Sequence, residues 1–489
     1  MKTNKININN CFLFPTLITL LNLIPAGRVT AQTFTTLYSF TAGSTDASGV
    51  YTNSDGSYSL AGLITNASGN TLYGTAQRGG SSGNGTVFAV NTDGTGFTTL
   101  HSFSALRTNS SGAWTNSDGA NPEGAVILSG NTLYGVAPFG GSSGNGTVFA
   151  VHTDGSGFTN LHSFTAAPSN GSCCRTNGDG VGPAAGLIVV GDTLFGAANS
   201  GGSSGRGTVF KLNTDGSGFT NLHSFTAPDP STGFNSDGNT PNGLILSGNI
   251  LYGTAYSGGS SGAGTVFKLN TNGTGFTTLH SLTDNPAAGL IILSNTLFGA
   301  TAAGGSGGGG TVFALGTNGT GFTNLHNFTN NSSDGSFLRA GLVLRGNTLY
   351  GAAGVGGTSG IGTVYAVHTD GTGFAQLHGF SRSNNGASPV GGLILSGDSL
   401  YGMAYPRSSS VSGTVFRLSF RPQVAIAPSG ILPSVLIISW PSHVAGFDYT
   451  GYRLQKANAL TGPFADVPGS SSPYSIPITS AQQFYRLIQ

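Results

Sequence analysis

Three short motifs recur seven times along this chain of 489 residues, always in the same order. The first is an apolar run after a small residue: AGLI at 61–64, GAVI at 124–127, GLIV at 186–189, GLIL at 243–246, GLII at 289–292, GLVL at 341–344 and GLIL at 392–395. The second is Leu-Tyr/Phe-Gly, with its aromatic at Tyr73, Tyr134, Phe195, Tyr252, Phe298, Tyr350 and Tyr401. The third is Gly-Thr-Val-Phe/Tyr, with its aromatic at Phe88, Phe149, Phe210, Phe267, Phe313, Tyr365 and Phe416. The units repeat every 46 to 61 residues. Each holds four short runs rich in Val, Ile, Phe, Tyr and Thr, separated by turn residues, which reads as four strands. Four strands per unit at this period is the make-up of a β-propeller blade.

A fourth motif, GFxxLHxF, follows the third only six times, beginning at Phe97, Phe158, Phe219, Phe276, Phe322 and Phe374. The seventh unit stops at GTVFRLSF, 413–420, without it, and a lone copy, FTTLYSF, stands at 34–40. The N-terminal segment is therefore predicted to supply the outer strand of the last blade. An open solenoid, the alternative architecture, has no reason to split one repeat between its two ends. A closed ring does, because the split removes both exposed sheet edges in one step. The expected fold is all-β: a seven-bladed β-propeller over 32–420, with an N-terminal strand closing the last blade.

Composition takes its meaning from this pattern. The chain carries 82 Gly and only 7% charged residues, a profile that leans towards low complexity. Most of the glycines recur at fixed repeat positions, as turns and close approaches require. Hydrophobic residues at 37%, with 30 Phe, are enough to bury a core. Collagen is excluded, since no Gly-X-Y period runs through the chain. A net charge of +1 without a basic run excludes an electrostatic nucleic-acid binder. A single Glu, Glu123, leaves little material for paired-carboxylate catalysis.

Residues 1–31 read as a secretory signal. Lys2 and Lys5 precede an apolar stretch at 11–27, and Val29 and Ala31 are small residues placed for cleavage after Ala31. The expected location is secreted or at the cell surface. No other stretch approaches the length of a transmembrane helix, so the mature chain is predicted to have no membrane span. Cys173 and Cys174 are adjacent, and either a vicinal disulfide or two free thiols fits them. Neither makes disulfides the frame of the fold.

Loop lengths distinguish the two sides of such a ring. The turns after the first and third runs are tight, as in NTDGTG at 91–96, where Asp-Gly supplies the positive φ of a hairpin. One Asp per turn falls short of the six to eight oxygens that calcium takes. The loops between the second and third runs are glycine-rich, GGSSGNG at 79–85 and its counterparts. The linkers between units vary most in length. Loops on a rigid scaffold carry binding, so the linker and glycine-loop face is the expected functional one.

The positions just before each glycine loop vary among otherwise near-identical units. They supply the candidates Gln77, Arg78, Phe139, Asn199, Tyr256 and Tyr405, joined by Trp114 in a linker. Aromatics placed there stack on sugar rings or other apolar faces. They fit packing against the neighbouring blade as well. A ring of acids precedes the first run: Asp55, Asp118, Asp179, Asp237, Asp284 and Asp334, with Asn385 in the seventh unit. These acids fit cation or sugar-hydroxyl binding, or turns that latch one blade to the next. His101, His162, His223, His280, His326 and His378 fall one per blade on the outer strand, too far apart to share a metal. Tyr38 stands in their place in the N-terminal copy. The glycine loops lack the GKS/T of a phosphate loop. No G-x-S-x-G nucleophile context with a matching His and acid is present. No catalytic residue, metal or cofactor is expected.

From 421 to 489 the repeat ends, and Pro422, Pro428 and Pro433 mark a linker. Short β runs follow at VLIISW, GYRLQKA, FADV, YSIPIT and QFYRLIQ, spaced as in a small sandwich-like module.

The unit D-G-x-x-P-x-x-G-L-I … L-Y-G-T-A … G-T-V-F … G-F-T-x-L-H-S-F resembles the GloVer tandem repeat of secreted bacterial proteins, over about 34–418. The C-terminal segment is similar to the short modules that end many exported proteins of the same bacteria. The resemblance implies export and repeat architecture, and carries no activity with it. Unit seven departs from the pattern, with RSSSVSG in place of its glycine loop. The leading functional expectation is a binding or adhesion scaffold, with extracellular polysaccharide or a surface protein as partner. A polysaccharide-active enzyme and a purely structural envelope component are the alternatives.

Overall fold

A computed structural model of the chain describes residues 6–7, 32–45, 49–168, 175–286, 288–329, 334–357, 359–381, 386–405 and 412–420. In the C-terminal segment it describes 425–428, 435–439, 443–444, 447–448, 452–458, 463–472, 474–477 and 484–488. Residues 1–31, apart from Ile6 and Asn7, lie outside the described residues, as do Cys173, Cys174 and Asn385. Among the described residues every regular element is a strand, and no helix is long and apolar enough to cross a membrane.

Each repeat forms one four-stranded antiparallel sheet, its strands in chain order. The first sheet consists of Ile64–Thr65, Thr71–Ala76, Thr86–Asn91 and Thr98–Ser102. The last is composite: Ile394–Ser396, Ser399–Ala404 and Thr414–Ser419 are completed at the outer edge by Thr33–Ser39. Phe40 N donates to Gly413 O at 3.0 Å just beyond this pairing. The lone copy of the fourth motif thus fills the place that the seventh unit leaves empty.

The strand sequences explain their positions. The second and third strands, TLYGTA and TVFAVN in repeat one, are buried along almost their whole length. A strand covered on both faces reads as a continuous apolar run rather than an alternating one. Gly74 pairs with Phe88 across these strands, and a Cβ on Gly74 would sit 2.7 Å from Phe88 Cζ. The glycine of Leu-Tyr-Gly therefore makes room for the aromatic of Gly-Thr-Val-Phe. Every third strand for which the outer pairing is resolved has a register shift just before this aromatic, as at Val87/Phe88 and Val148/Phe149. Such a bulge adds local twist.

The first strands are shorter than their apolar runs suggest, two or three residues in most repeats. The exception is Asn239–Ser247, which is nine residues long. A Cβ on Gly62 would lie 3.5 Å from Gly392 O of repeat seven and 3.6 Å from Ala125 Cβ of repeat two. The inner strands converge here, and pairing gives way to contact between repeats.

The core lies between sheets. Tyr73, Val87 and Phe103 of repeat one pack with Leu133, Phe149 and Val151 of repeat two. Equivalent clusters join the following pairs as far as repeat six, and Phe380 meets Phe416 at 5.3 Å between repeats six and seven. Phe40, Tyr401 and Met403 of the composite sheet pack with Leu63, Leu72 and Phe88 of repeat one. Burying one such Phe contributes about 1.5–3 kcal/mol.

The chain divides into two compact units, Thr35–Arg417 and Met1–Phe34 with Leu418–Gln489. In the second unit, Ala425–Pro428, Val435–Ser439 and Tyr474–Pro477 form one sheet. Arg453–Ala457, Ala465–Asp466, Phe484–Ile488 and Ile6–Asn7 form another. Ile438, Leu454, Val467 and Tyr485 make its small core.

Candidate functional site

The recurring N/S-x-D-G signature works as a pair of clasps. In repeat two, Asn116 Oδ1 accepts from Gly119 N and Gly141 N, both at 3.0 Å, and so pins the glycine loop to the linker. Two residues on, Asp118 reaches the outer strand of repeat one. His101 Nε2 lies 3.0 Å from its Oδ2, Ser104 N donates to Oδ2 at 2.9 Å, and the Ser104 hydroxyl donates to Oδ1. Asp179 is held in the same way by His162 and Thr165, and Asp237 by His223 and Thr226. Asp55 takes Tyr38 OH at 2.7 Å in place of the histidine. Asp334 keeps Thr329, with His326 Nε2 at 3.7 Å.

Burial would raise the carboxyls of Asp118, Asp179 and Asp237. The bonds from histidine and hydroxyl outweigh it and hold all three below the usual carboxylate range. Asp284 stands apart from the other acids. The linker before it is short, and its Oδ2 accepts from Gly305 N at 3.0 Å, the task that Asn116 performs in repeat two. The five other acids are at most 6% exposed. The carboxylates of Asp118, Asp179 and Asp237 are each engaged with the end of the preceding repeat's outer strand.

The histidines are aromatic partners. The His101 ring stacks on Phe158 of the next repeat at 3.6 Å and meets Phe103 edge-on at 5.0 Å. Tyr38 stacks on Phe97 in the same way at 3.9 Å. Burial pushes His378 down to about 4. Among the described residues no three His, Cys, Asp or Glu side chains gather as metal ligands. The Asp-Gly turns close on themselves, with Asp93 Oδ1 accepting from Thr95 N at 3.0 Å and Thr95 Oγ1 at 2.6 Å.

The linkers before repeats one and two each form a hairpin, Ser44–Thr45 against Tyr51–Thr52 in the first. In the second, Arg107–Thr108 pairs with Trp114–Thr115, and the tip is tied by Asn109 Oδ1 accepting from Ser111 N and Ala113 N. The hairpin holds Trp114 out, 62% exposed. Phe139, 51% exposed, is fixed by a backbone pairing with Ala120 on either side of its own peptide. Trp114 and Phe139 line one open depression of about 840 Å³, with Val50, Leu106 and Arg175.

The remaining candidates fall elsewhere. Arg78 lies over the Tyr58 ring at 4.8 Å, and Tyr58 meets Tyr405 edge-on at 4.9 Å. Burial pushes the Tyr405 hydroxyl up, Tyr58 adds to this, and Arg78 opposes it. Gln77 Nε2 donates to Glu123 Oε1 at 2.5 Å, and burial raises that carboxyl against the pull of the bond. Asn199 is half-buried, and its backbone N donates to Gly182 O at 3.1 Å. Tyr256 is exposed and takes Asn285 Nδ2 on its carbonyl at 2.8 Å.

Sequence reasoning passed over Tyr58 and its counterparts Asn121, Thr240, Phe337 and Ser388. All have positive φ and follow the Asp-Gly or Asn-Gly step. The variation among units that singled out Gln77 is present there too. Arg175 was also missed, since its linker has no equivalent residue in other repeats.

No curated protein matches the chain. In solved structures it is similar to a chain of a nidogen/laminin complex, at 13% identity and TM-score 0.35, covering 63% of this chain and 93% of that one. It is similar to the computationally designed Ika8 protein at 15% identity and TM-score 0.42, covering 78% and 99%. It is also similar to the extracellular domain of a hybrid two-component system from B. thetaiotaomicron, at 12% identity and TM-score 0.43, covering 86% and 43%. A model of the Gloeobacter/Verrucomicrobia repeat matches at 28–178, 174–343 and 282–427, which takes in every sheet of the repeat region. Matched over more than half of its length, the chain belongs to the Gloeobacter/Verrucomicrobia repeat family.

Proposed function

We propose that residues 32–420 form a seven-bladed β-propeller that is exported, with cleavage after Ala31, and serves outside the cell as a binding scaffold for polysaccharide. The observation that carries this reading is the pairing of Trp114 and Phe139 in one open depression. Large exposed apolar side chains that gather around one depression mark an interaction site. An aromatic platform of this kind takes the apolar face of a sugar ring. Convergence of inner strands at Gly62 and the packing of the composite sheet on repeat one support closure of the blades into a ring. The depression draws its lining from three successive linkers, with Val50, Trp114 and Arg175 each from a different one.

The test is binding of the full chain to a panel of soluble polysaccharides by calorimetry. Trp114→Ala and Phe139→Ala are each expected to weaken the best ligand at least tenfold, which is about 1.4 kcal/mol. Affinity unchanged in both variants, or binding to no member of the panel, rejects the reading.

A further inference from the structure

We infer that the Trp114–Phe139 depression selects an acidic polysaccharide, one whose sugars carry uronate carboxylates that Arg175 receives. The inference rests on the binding reading above and adds the charge of the ligand. Arg175 is the sole charged side chain lining the depression among the described residues. Its bonds go to neutral acceptors: Nε donates to Ala167 O at 3.1 Å, and Nη2 donates to Asn145 Oδ1 at 2.7 Å. Asn145 is fully buried and is itself fixed through Nδ2 to Thr165 O at 2.5 Å. The guanidinium is thus held in place, and among the described residues no carboxylate bonds to it. Among the described residues two of the five N–H donors of the guanidinium are engaged.

A planar guanidinium beside an aromatic platform matches a sugar that offers an apolar ring face and a carboxylate together. A nucleic acid is disfavoured. Its phosphates call for several cations along a groove, and one is present here.

The experiment compares two forms of one polymer, polygalacturonate and its methyl ester, which differ in charge and share their rings. Binding to the full chain is measured by calorimetry at low salt. The acid form is expected to bind at least tenfold tighter, with the preference shrinking as salt rises. Arg175→Gln should bring the two affinities within twofold. Arg175→Lys, which keeps the charge and loses the planar fork, should retain part of the preference. A thermal melt of each variant shows whether the loop held by Asn145 stays folded.

Equal binding of the two forms by the wild-type chain overturns the inference. So does a preference that survives Arg175→Gln, or tighter binding of a sulfated glycan or a single-stranded DNA than of polygalacturonate. If the two forms bind equally and Trp114→Ala weakens both, only the charge assignment fails. If Trp114→Ala changes neither, the binding reading fails with it.

Discussion

Asp118 shows how one side chain couples two repeats. Its carboxylate accepts from His101 and from both the amide and the hydroxyl of Ser104, all on the preceding repeat. Its own carbonyl accepts from Thr147 Oγ1 at 3.1 Å within its own repeat. Asp118→Asn removes the charge from these bonds and is expected to cost about 2 kcal/mol, measured by urea unfolding at pH 7. The carboxyl is depressed in the folded chain, so its contribution is complete above the ordinary carboxylate range and is lost as pH falls through the lowered value. The gap between wild type and variant should therefore narrow in acid. A gap constant from pH 7 to pH 2 would show that the carboxylate charge is not what holds the latch.

Tyr365 offers the converse case. It fills the slot that holds Phe in every other repeat, and its hydroxyl is buried without a hydrogen-bond partner among the described residues. Burial pushes that hydroxyl far up. Tyr365→Phe should stabilise the chain by about 1 kcal/mol, read as a higher urea midpoint with an unchanged slope.

At the level of elements, the strand Thr33–Ser39 has the most exacting role. Phe40 at its end is 4% exposed and meets Phe88 at 5.3 Å and Phe97 at 5.9 Å, both in repeat one. Phe40→Ala should cost about 3–5 kcal/mol in unfolding free energy, the cost of emptying a well-packed site. A cost under about 1 kcal/mol would mean that the strand is not packed between the last and first repeats. This element was legible in the sequence because a motif missing at one end and surplus at the other leaves a mark that pattern alone reveals. The four strand runs and the tight Asp-Gly turns were legible for the same reason: backbone pairing and positive φ fix residue types at fixed places.

The short first strands were less legible. GLIL and its relatives are apolar throughout, and nothing in the run says where pairing stops and contact between neighbouring repeats starts. The division of labour in N/S-x-D-G was hidden as well, since Asn and Asp two residues apart carry the same hydrogen-bonding vocabulary. Asp284 shows the limit. Aligned by letter it joins the acids, but the short linker places it where an asparagine serves.

Across the whole molecule, regularity and singularity divide between scaffold and site. Sequence comparison within the chain finds what recurs, and most of what recurs here is structural: clasps, stacked histidines, glycine and aromatic pairs. The depression beside Trp114 combines a hairpin of the kind that the linker before repeat one also forms with an arginine that has no counterpart in other repeats. No periodicity announces such a feature. The variable slot did flag Phe139, and exposure of Trp114 on a linker was within reach. Their convergence with Arg175 depended on three-dimensional placement.

Tyr51 OH and Ser412 Oγ are 2.9 Å apart in space and 361 residues apart along the chain. If that contact formed first, closing so long a loop would cost about 5 kcal/mol of chain entropy before any contact repaid it. If it forms after the intervening sheets have stacked, they deliver the two ends to each other and the remaining cost is small. Assembly should therefore run from the middle repeats outward, with the join between the first strand and the last repeat as its slowest step. A chain made and moved from its N-terminus would keep its first strand unmated until its last repeat arrived, an exposed edge open to a neighbouring copy. Refolding followed by pulsed hydrogen exchange should protect Thr98–Ser102 well before Thr33–Ser39. Simultaneous protection of the two would mean that the ends meet early, and that the order of assembly is set by something other than chain entropy.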